Sequence, residues 1–334
     1  DLLQLSPLPP SAGFDSLFIN RGGLENKGVE LALLANIVDT PDFKFSIGGN
    51  IAFNRTKITN LGIPVSDVFI DGSMQQRSFY LGNQISTGLY FKYPANIFIE
   101  GEESALFYGF ETDGIYQEDD DFPIAGNQPG DLKIIDQNGD GNIDENDRTI
   151  IGNPNPDYTF GGTLNLSFKN WSLSALFSGV QGNDVINGWT ADVGGVEGTF
   201  INVFEAGYVN AWRPDAPSNT YPRLGYSNRT PINTNDASIT NDPGRAMPDT
   251  FIEDGSFVRL KNITLGYDIP VKDFSSIFSR FNVYVSAQNL ITWTDYSGYD
   301  PEISSFLYDG TRTGIDWYGP PNVRMFTLGL NIDF

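Results

Sequence analysis

The sequence predicts an all-β fold, an antiparallel β-barrel that crosses a membrane. Three observations carry the prediction. Apolar and small polar residues alternate strictly over several segments. The polar positions hold Ser, Thr, Asn, Gly and Gln, rarely Lys or Glu. Short and long connections between these segments alternate along the chain.

Each segment is justified in turn. Val29, Leu31 and Leu33 face away from Gly28 and Glu30. Phe45, Ile47, Ile51 and Phe53 alternate with Ser46, Gly48, Asn50 and Asn54. Phe160, Leu164, Leu166 and Phe168 are interleaved with Gly161, Thr163, Asn165 and Ser167. Trp171, Leu173, Ala175 and Phe177 enclose Ser172 and Ser174. Ile263, Leu265, Tyr267 and Ile269 alternate with Thr264, Gly266 and Asp268, and Phe281, Val283, Val285 and Ala287 with Asn282, Tyr284, Ser286 and Gln288. The last segment sets Phe326, Leu328, Leu330, Ile332 and Phe334 against Thr327, Gly329, Asn331 and Asp333. Successive strand side chains point to opposite faces, so each strand has one apolar and one wet face. In a membrane barrel these faces meet lipid and a water-filled lumen, lined here by residues such as Asn165, Ser286, Gln288 and Asn331.

The connections sharpen the reading. Phe168 reaches Trp171 through Lys169 and Asn170, Ile37 reaches Phe45 through an Asp-Thr-Pro-Asp turn, and Ile269 reaches Phe281 from Pro270 to Arg280. The intervening connections, 54–158, 177–257 and 291–323, are far longer. Short turns at one end and long loops at the other are the asymmetry of outer-membrane barrels. Tyr158, Trp171, Tyr267, Trp293 and Tyr296 lie near strand ends and suit an interfacial aromatic girdle.

Composition narrows the function classes. With no Cys and no His in 334 residues, thiolate chemistry, disulfides and Ser-His-Asp catalysis are excluded. A net charge of −22 argues against nucleic acid, which needs clustered Lys and Arg. No run of about 18 apolar residues marks a transmembrane helix. A mean hydropathy of −0.24 is compatible with barrel strands, whose hydropathy signal is weak. No carboxylate pair stands out as acid and base, and no enzyme is predicted.

One motif points to a metal. Asp136-Gln-Asn-Gly-Asp-Gly-Asn-Ile-Asp-Glu-Asn-Asp147 has the spacing of a calcium loop. Asp136, Asn138 and Asp140 take positions one, three and five, Gly141 the bend at six, Asn142 the carbonyl at seven, and Asp147 position twelve. The expected ion is a structural Ca2+ that pins an extracellular loop. The segment 130–135 ahead of it reads as a strand, so this is not an EF-hand pair. Trp189, Trp212 and Trp317 lie in long connections and are candidates for contact with a ligand or a partner; packing of the loops on each other is the competing reading. The apolar spacing over 199–212 predicts a short helix.

Several motifs together resemble a known family. Gly255-Ser-Phe-Val-Arg-Leu-Lys-Asn-Ile-Thr-Leu-Gly-Tyr267 and Val283-Tyr-Val-Ser-Ala-Gln-Asn-Leu290 are similar to late barrel strands of SusC/RagA-type TonB-dependent transporters. So are Asn26-Lys-Gly-Val-Glu-Leu31, Gly130-Asp-Leu-Lys with the calcium-type loop, Ile151-Gly-Asn-Pro-Asn-Pro156, Tyr299-Asp-Pro-Glu302 and the terminal strand. The resemblance implies a 22-stranded barrel in a Gram-negative, Bacteroidetes-like outer membrane. It implies import of oligosaccharides or peptides, energy from TonB, contact with outer-membrane lipid, and a SusD-like surface lipoprotein as partner. Residues 1–334 are then expected to be the C-terminal half of that barrel, with roughly ten to twelve strands, the plug domain and earlier strands lying outside this chain. The alternative is a soluble, calcium-dependent glycan-binding or adhesive β-sheet protein. A two-carboxylate glycosidase ranks third.

Overall fold

A computed structural model describes residues 3–7, 13, 16–20, 22–85, 94–122, 127–192, 205–224, 247–270, 279–302 and 305–334. The chain is almost entirely β. Strands β1 (Leu3–Pro7) and β2 (Ser16–Asn20) pair with each other. Then come two long strands, β3 (Gly23–Asp39) and β4 (Phe43–Asn60). The first long connection carries β5 (Ser66–Ile70), β6 (Ser73–Arg77), β7 (Phe79–Leu81), β8 (Asn96–Ile99), β9 (Leu106–Phe110), β10 (Thr112–Ile115), β11 (Leu132–Ile134) and β12 (Arg148–Gly152). Next are β13 (Tyr158–Phe168) and β14 (Trp171–Gln181), and a second connection with β15 (Asp184–Asn187), helices α1 (Gly188–Asp192) and α2 (Glu205–Asn210), and β16 (Ile252–Asp254). Strands β17 (Phe257–Ile269) and β18 (Arg280–Thr294), the short β19 (Ile315–Asp316) and β20 (Met325–Asp333) complete the chain.

The long strands form one antiparallel sheet in the order β20-β18-β17-β14-β13-β4-β3. Its register converts seven separate alternations into rows. Thr327, Ser286, Thr264, Ser174, Asn165, Ser46 and Asn36 are paired strand to strand across the whole sheet. The next row is Leu328, Val285, Leu265, Leu173, Leu166, Phe45 and Val38, all apolar. A one-residue slip in any strand would put a polar side chain into the apolar row, so the pattern specifies the register. A hollow of ≈ 410 Å³ opens near the short turns, lined by Asn36, Ser46, Asn165, Ser174 and Thr264 of the polar row and by Val38, Phe45, Leu166 and Leu173 of the apolar row. The apolar face lies on the other side of the sheet from the polar one. Its side chains stand free: Leu33 and Leu328 are each 72% exposed, and Val29, Leu31, Phe326 and Leu330 are exposed as well.

Close approach explains one glycine of the wall. The Phe160 ring lies across its partner Gly179, where any Cβ would clash. At the turn end, Lys169 adopts a left-handed φ of 52° between β13 and β14. Its N–H donates to Asp42 O at 2.7 Å, and Asp268 N–H donates to Asn170 O at 2.9 Å, so neighbouring turns are stitched together.

The buried core lies elsewhere, in the long connections. One cluster joins Ile85, Ala95, Phe107, Ile186, Met247, Phe251 and Ile315; a second joins Val68, Ile70, Ile97, Ile99, Leu106 and Tyr108. These residues come from all three long connections, which therefore fold into one layer beyond the strand ends.

The strand expected over 130–135 is present as β11, paired with β10 in the loop layer. Two expectations are corrected. The wall has seven strands among the described residues, not ten to twelve, because β5 to β12, β15, β16 and β19 belong to the long connections. Tyr296 is no girdle residue: it is buried, its hydroxyl donating to Asp316 Oδ2 at 2.8 Å. Trp171 and Tyr267 do pair across strands at the turn end, ring centroids 4.6 Å apart, and Trp171 and Trp293 are both about half exposed. The predicted helix over 199–212 is seen at Glu205–Asn210; residues 199–204 lie outside the described residues.

Candidate functional site

The loop layer holds every candidate residue of the sequence analysis. In the 136–147 loop the aspartate carboxylates are turned onto the backbone. Asp136 accepts from Gly139 N at 2.7 Å and from Gly141 N at 2.8 Å. Asn138 Oδ1 accepts from Asp140 N at 2.9 Å, and Asp140 Oδ1 from Asn142 N at 2.8 Å. Gly141 sits at φ 82°, the bend expected at position six. Asp147 is fully buried and clamps the loop. It accepts from Gln137 N at 2.9 Å and Asp144 N at 2.6 Å, and with Asp144 closes a capping box on the 3-10 turn Glu145–Asp147. Burial pushes the Asp147 carboxyl up to about 6; its backbone donors oppose the shift and the Asp136 charge adds to it.

The donor set, all oxygen, fits a hard cation. The arrangement of the carboxylates does not converge: among the described residues no three acidic side chains stand close enough to hold one ion. Side chains at positions one, three and five would have to exchange backbone N–H partners for the ion.

The three tryptophans part company. Trp212 is buried with Ile115 and Leu132, and its Nε1–H donates to Gln117 Oε1 at 2.9 Å. It serves loop packing. Trp189 and Trp317 come together at another point, with Tyr318 between them: ring centroids are 4.7 Å from Trp189 to Tyr318 and 5.4 Å from Trp317 to Tyr318. Tyr299 stands edge-on to Trp189 at 5.1 Å.

Two sequence motifs prove to be partners, which spacing could not show. Arg259, 1% exposed, donates through Nε to Thr292 Oγ1 at 2.9 Å and through Nη1 to Glu302 at 2.6 Å, and its Nη2 pairs with the buried Asp300. Asn322 donates to the other Asp300 oxygen at 2.6 Å, and Lys261 to Glu302 at 3.0 Å. The Tyr299-Asp-Pro-Glu302 segment is thereby fastened to β17. The Gly130-Asp-Leu-Lys segment is tied down in the same way, with buried Asp131 accepting from Arg223 Nε at 2.7 Å. In the Asn-Pro-Asn-Pro segment, Asn153 N donates to Asp184 Oδ2 at 2.7 Å and Asn155 Nδ2 to Ser104 O at 2.7 Å. These residues build the loop layer; none forms a nucleophile–base pair.

No family model matches the chain. Over its full length the chain is 33% identical to the TonB-dependent receptor P3 of Formosa agariphila and spans 31% of that protein. It is 29% identical to the TonB-dependent receptor SusC of Bacteroides thetaiotaomicron and spans 29% of it. The RagAB peptide importer in its open-open state superposes with a TM-score of 0.70 at 25% identity, over 100% of this chain and 31% of that one. The RagAB peptide transporter shares the fold, with a TM-score of 0.69 at 24% identity over 98% of this chain and 31% of that chain. The chain thus spans about a third of the relatives it matches. Aligned end to end with these receptors and sharing the strand arrangement of the solved importer, the chain belongs to the SusC/RagA-type TonB-dependent receptors, of whose β-barrel it forms one part.

Proposed function

We propose that this chain is part of the wall and outer loops of an outer-membrane importer of oligosaccharides or peptides. The importer draws energy through TonB and works with a SusD-like surface lipoprotein. The observation that carries the reading is the pair of unbroken rows, polar from Thr327 to Asn36 and apolar from Leu328 to Val38, on opposite faces of one sheet. A wall with one polar face and one apolar exposed face suits water inside and lipid outside. The solved RagAB peptide importer supports the peptide class, and the oligosaccharide class rests on the family resemblance of the sequence. The part of the wall residues is to enclose the path of the ligand.

The test is extraction of the full-length protein from outer membranes in detergent, with co-purifying proteins identified. A detergent-requiring species accompanied by a lipoprotein is expected. A water-soluble species without a partner overturns the reading. Uptake of labelled oligosaccharides or peptides by cells with and without the gene then separates the substrate classes.

The same proposal includes a Ca2+ held by Asp136, Asn138, Asp140, Asp147 and the Asn142 carbonyl. Its support is the oxygen-only donor set in calcium-loop spacing. The ion would lock the loop in one conformation. At a free concentration 100 times its Kd it would stabilise that fold by about 2.7 kcal/mol. Protease resistance of the loops should rise with Ca2+, fall with chelator, and lose both responses in Asp140→Ala. No response in the native protein removes the metal from the proposal.

A further inference from the structure

Beyond the end of β14 the chain folds a small three-stranded sheet, β16-β15-β19. Its three strands hold four carboxylates, Asp184, Glu253, Asp254 and Asp316, and no Lys or Arg. None of the four is ion-paired with a described basic residue; the nearby Arg259 is committed to Asp300 and Glu302. Asp316 is fully buried and accepts from Tyr296 and from Gly319 N at 3.0 Å. Glu253 accepts from Asn187 Nδ2 at 2.8 Å and Ser297 N at 2.7 Å. Neutral donors orient these charges without cancelling them.

Over this sheet lies a recess of ≈ 140 Å³ lined by Asn187, Trp189, Thr190, Ser297, Gly298 and Tyr299. Asn187, at its floor, is buried and fully engaged, accepting from Trp189 N and Thr190 N and donating to Glu253 and Ser297. The walls are aromatic: Trp189 and Tyr299 stand at 85°, with Tyr318 packed behind Trp189. Tyr299 is 62% exposed. The recess is smaller than a site for a whole ligand and suits one functional group.

We propose that this aromatic recess is a subsite for a cationic head group, an ammonium or guanidinium, carried by the imported ligand. Aromatic faces attract cations, and the uncompensated carboxylates nearby, with Glu253 bonded to the lining residues Asn187 and Ser297, add to the attraction. The chain's net charge of −22 concentrates cations at its surface. The inference rests on the import reading and names the chemistry of the substrate.

The experiment is calorimetric titration of the detergent-purified full-length receptor with four probes. These are an Ala-Lys-Ala peptide, its acetyl-lysine counterpart, a glucosamine trisaccharide and its N-acetylated counterpart. The charged member of a pair is expected to bind about 2- to 30-fold tighter, with the advantage shrinking in salt. The pair that shows the difference tells a peptide ammonium from an amino sugar. Tyr299→Leu should abolish most of the difference while leaving the acetylated probe unchanged, and Tyr299→Phe should retain it. Equal binding of charged and acetylated probes, or no binding of any probe, overturns the subsite. A receptor that fractionates with the outer membrane yet shows no charge preference refutes the subsite alone; one that fractionates as water-soluble refutes the import reading.

Discussion

The wall and the loop layer treat apolar residues in opposite ways. On the wall, Leu33, Leu328, Phe326 and Leu31 are more than half exposed and touch no core. In the loops, Phe107, Ile186, Ile99 and Ile315 are completely buried. Each region is sound only in its own surroundings. Loops facing water must bury their own apolar surface and bond their own backbone, which they do with short strands and ion pairs. A wall facing lipid needs no core, because its outer side chains are already in an apolar solvent. Exposure that would be a liability in water is here the fit to the bilayer.

The comparison can be broken first in the loops. Arg259→Ala leaves Asp300 buried without its partner and should cost about 3–5 kcal/mol. Proteolysis of the 295–324 connection in the otherwise folded receptor is the readout, and unchanged resistance would refute the anchoring role. Next is the wall. Leu328→Arg or Val285→Lys should lower stability in lipid by about 2–4 kcal/mol, measured by denaturant unfolding of receptor folded into vesicles. Asn165→Lys, at an exposed position in the neighbouring polar row, should cost far less. Equal losses at Leu328 and Asn165 would undo the assignment of faces. A smaller effect is expected at Trp212→Phe, where the bond to Gln117 disappears while the ring remains, about 1 kcal/mol on loop stability. Because Trp212 serves packing, ligand binding should survive this change, whereas Tyr299→Leu should alter it. Smallest of all is Asn165→Ala at an exposed position, expected within about 0.5 kcal/mol.

Much of the wall was legible in single segments. Phe45 to Phe53 and Phe326 to Phe334 alternate because pleating alone sends neighbours to opposite faces, and that rule is local. The connection lengths told which strand ends lie together. The loop layer was not legible in the same way. Trp212 meets Gln117 across 95 residues, and Arg259 meets Asp300 across 41. Nothing local marks such partners, so the sequence left Trp212 open to both an exposed platform and the packing that the structure shows. The strand count failed for the same reason: short apolar segments such as Leu132–Ile134 alternate whether they pair in the wall or in a loop. The 136–147 loop was recognisable by spacing, while the clamp formed by Asp144 and Asp147 emerged only in the fold.

By itself, then, the sequence determined the two-faced strands, the asymmetry of their connections and, through the lack of Cys and His, the exclusion of thiolate and Ser-His-Asp chemistry, since each depends on residue type and spacing alone. The tertiary structure decided which rows run unbroken across the sheet, how many strands make the wall, and which charges are buried as pairs and which are left without a cation. Those depend on register and on contacts between distant segments, which arise only when the loops close and the strands align.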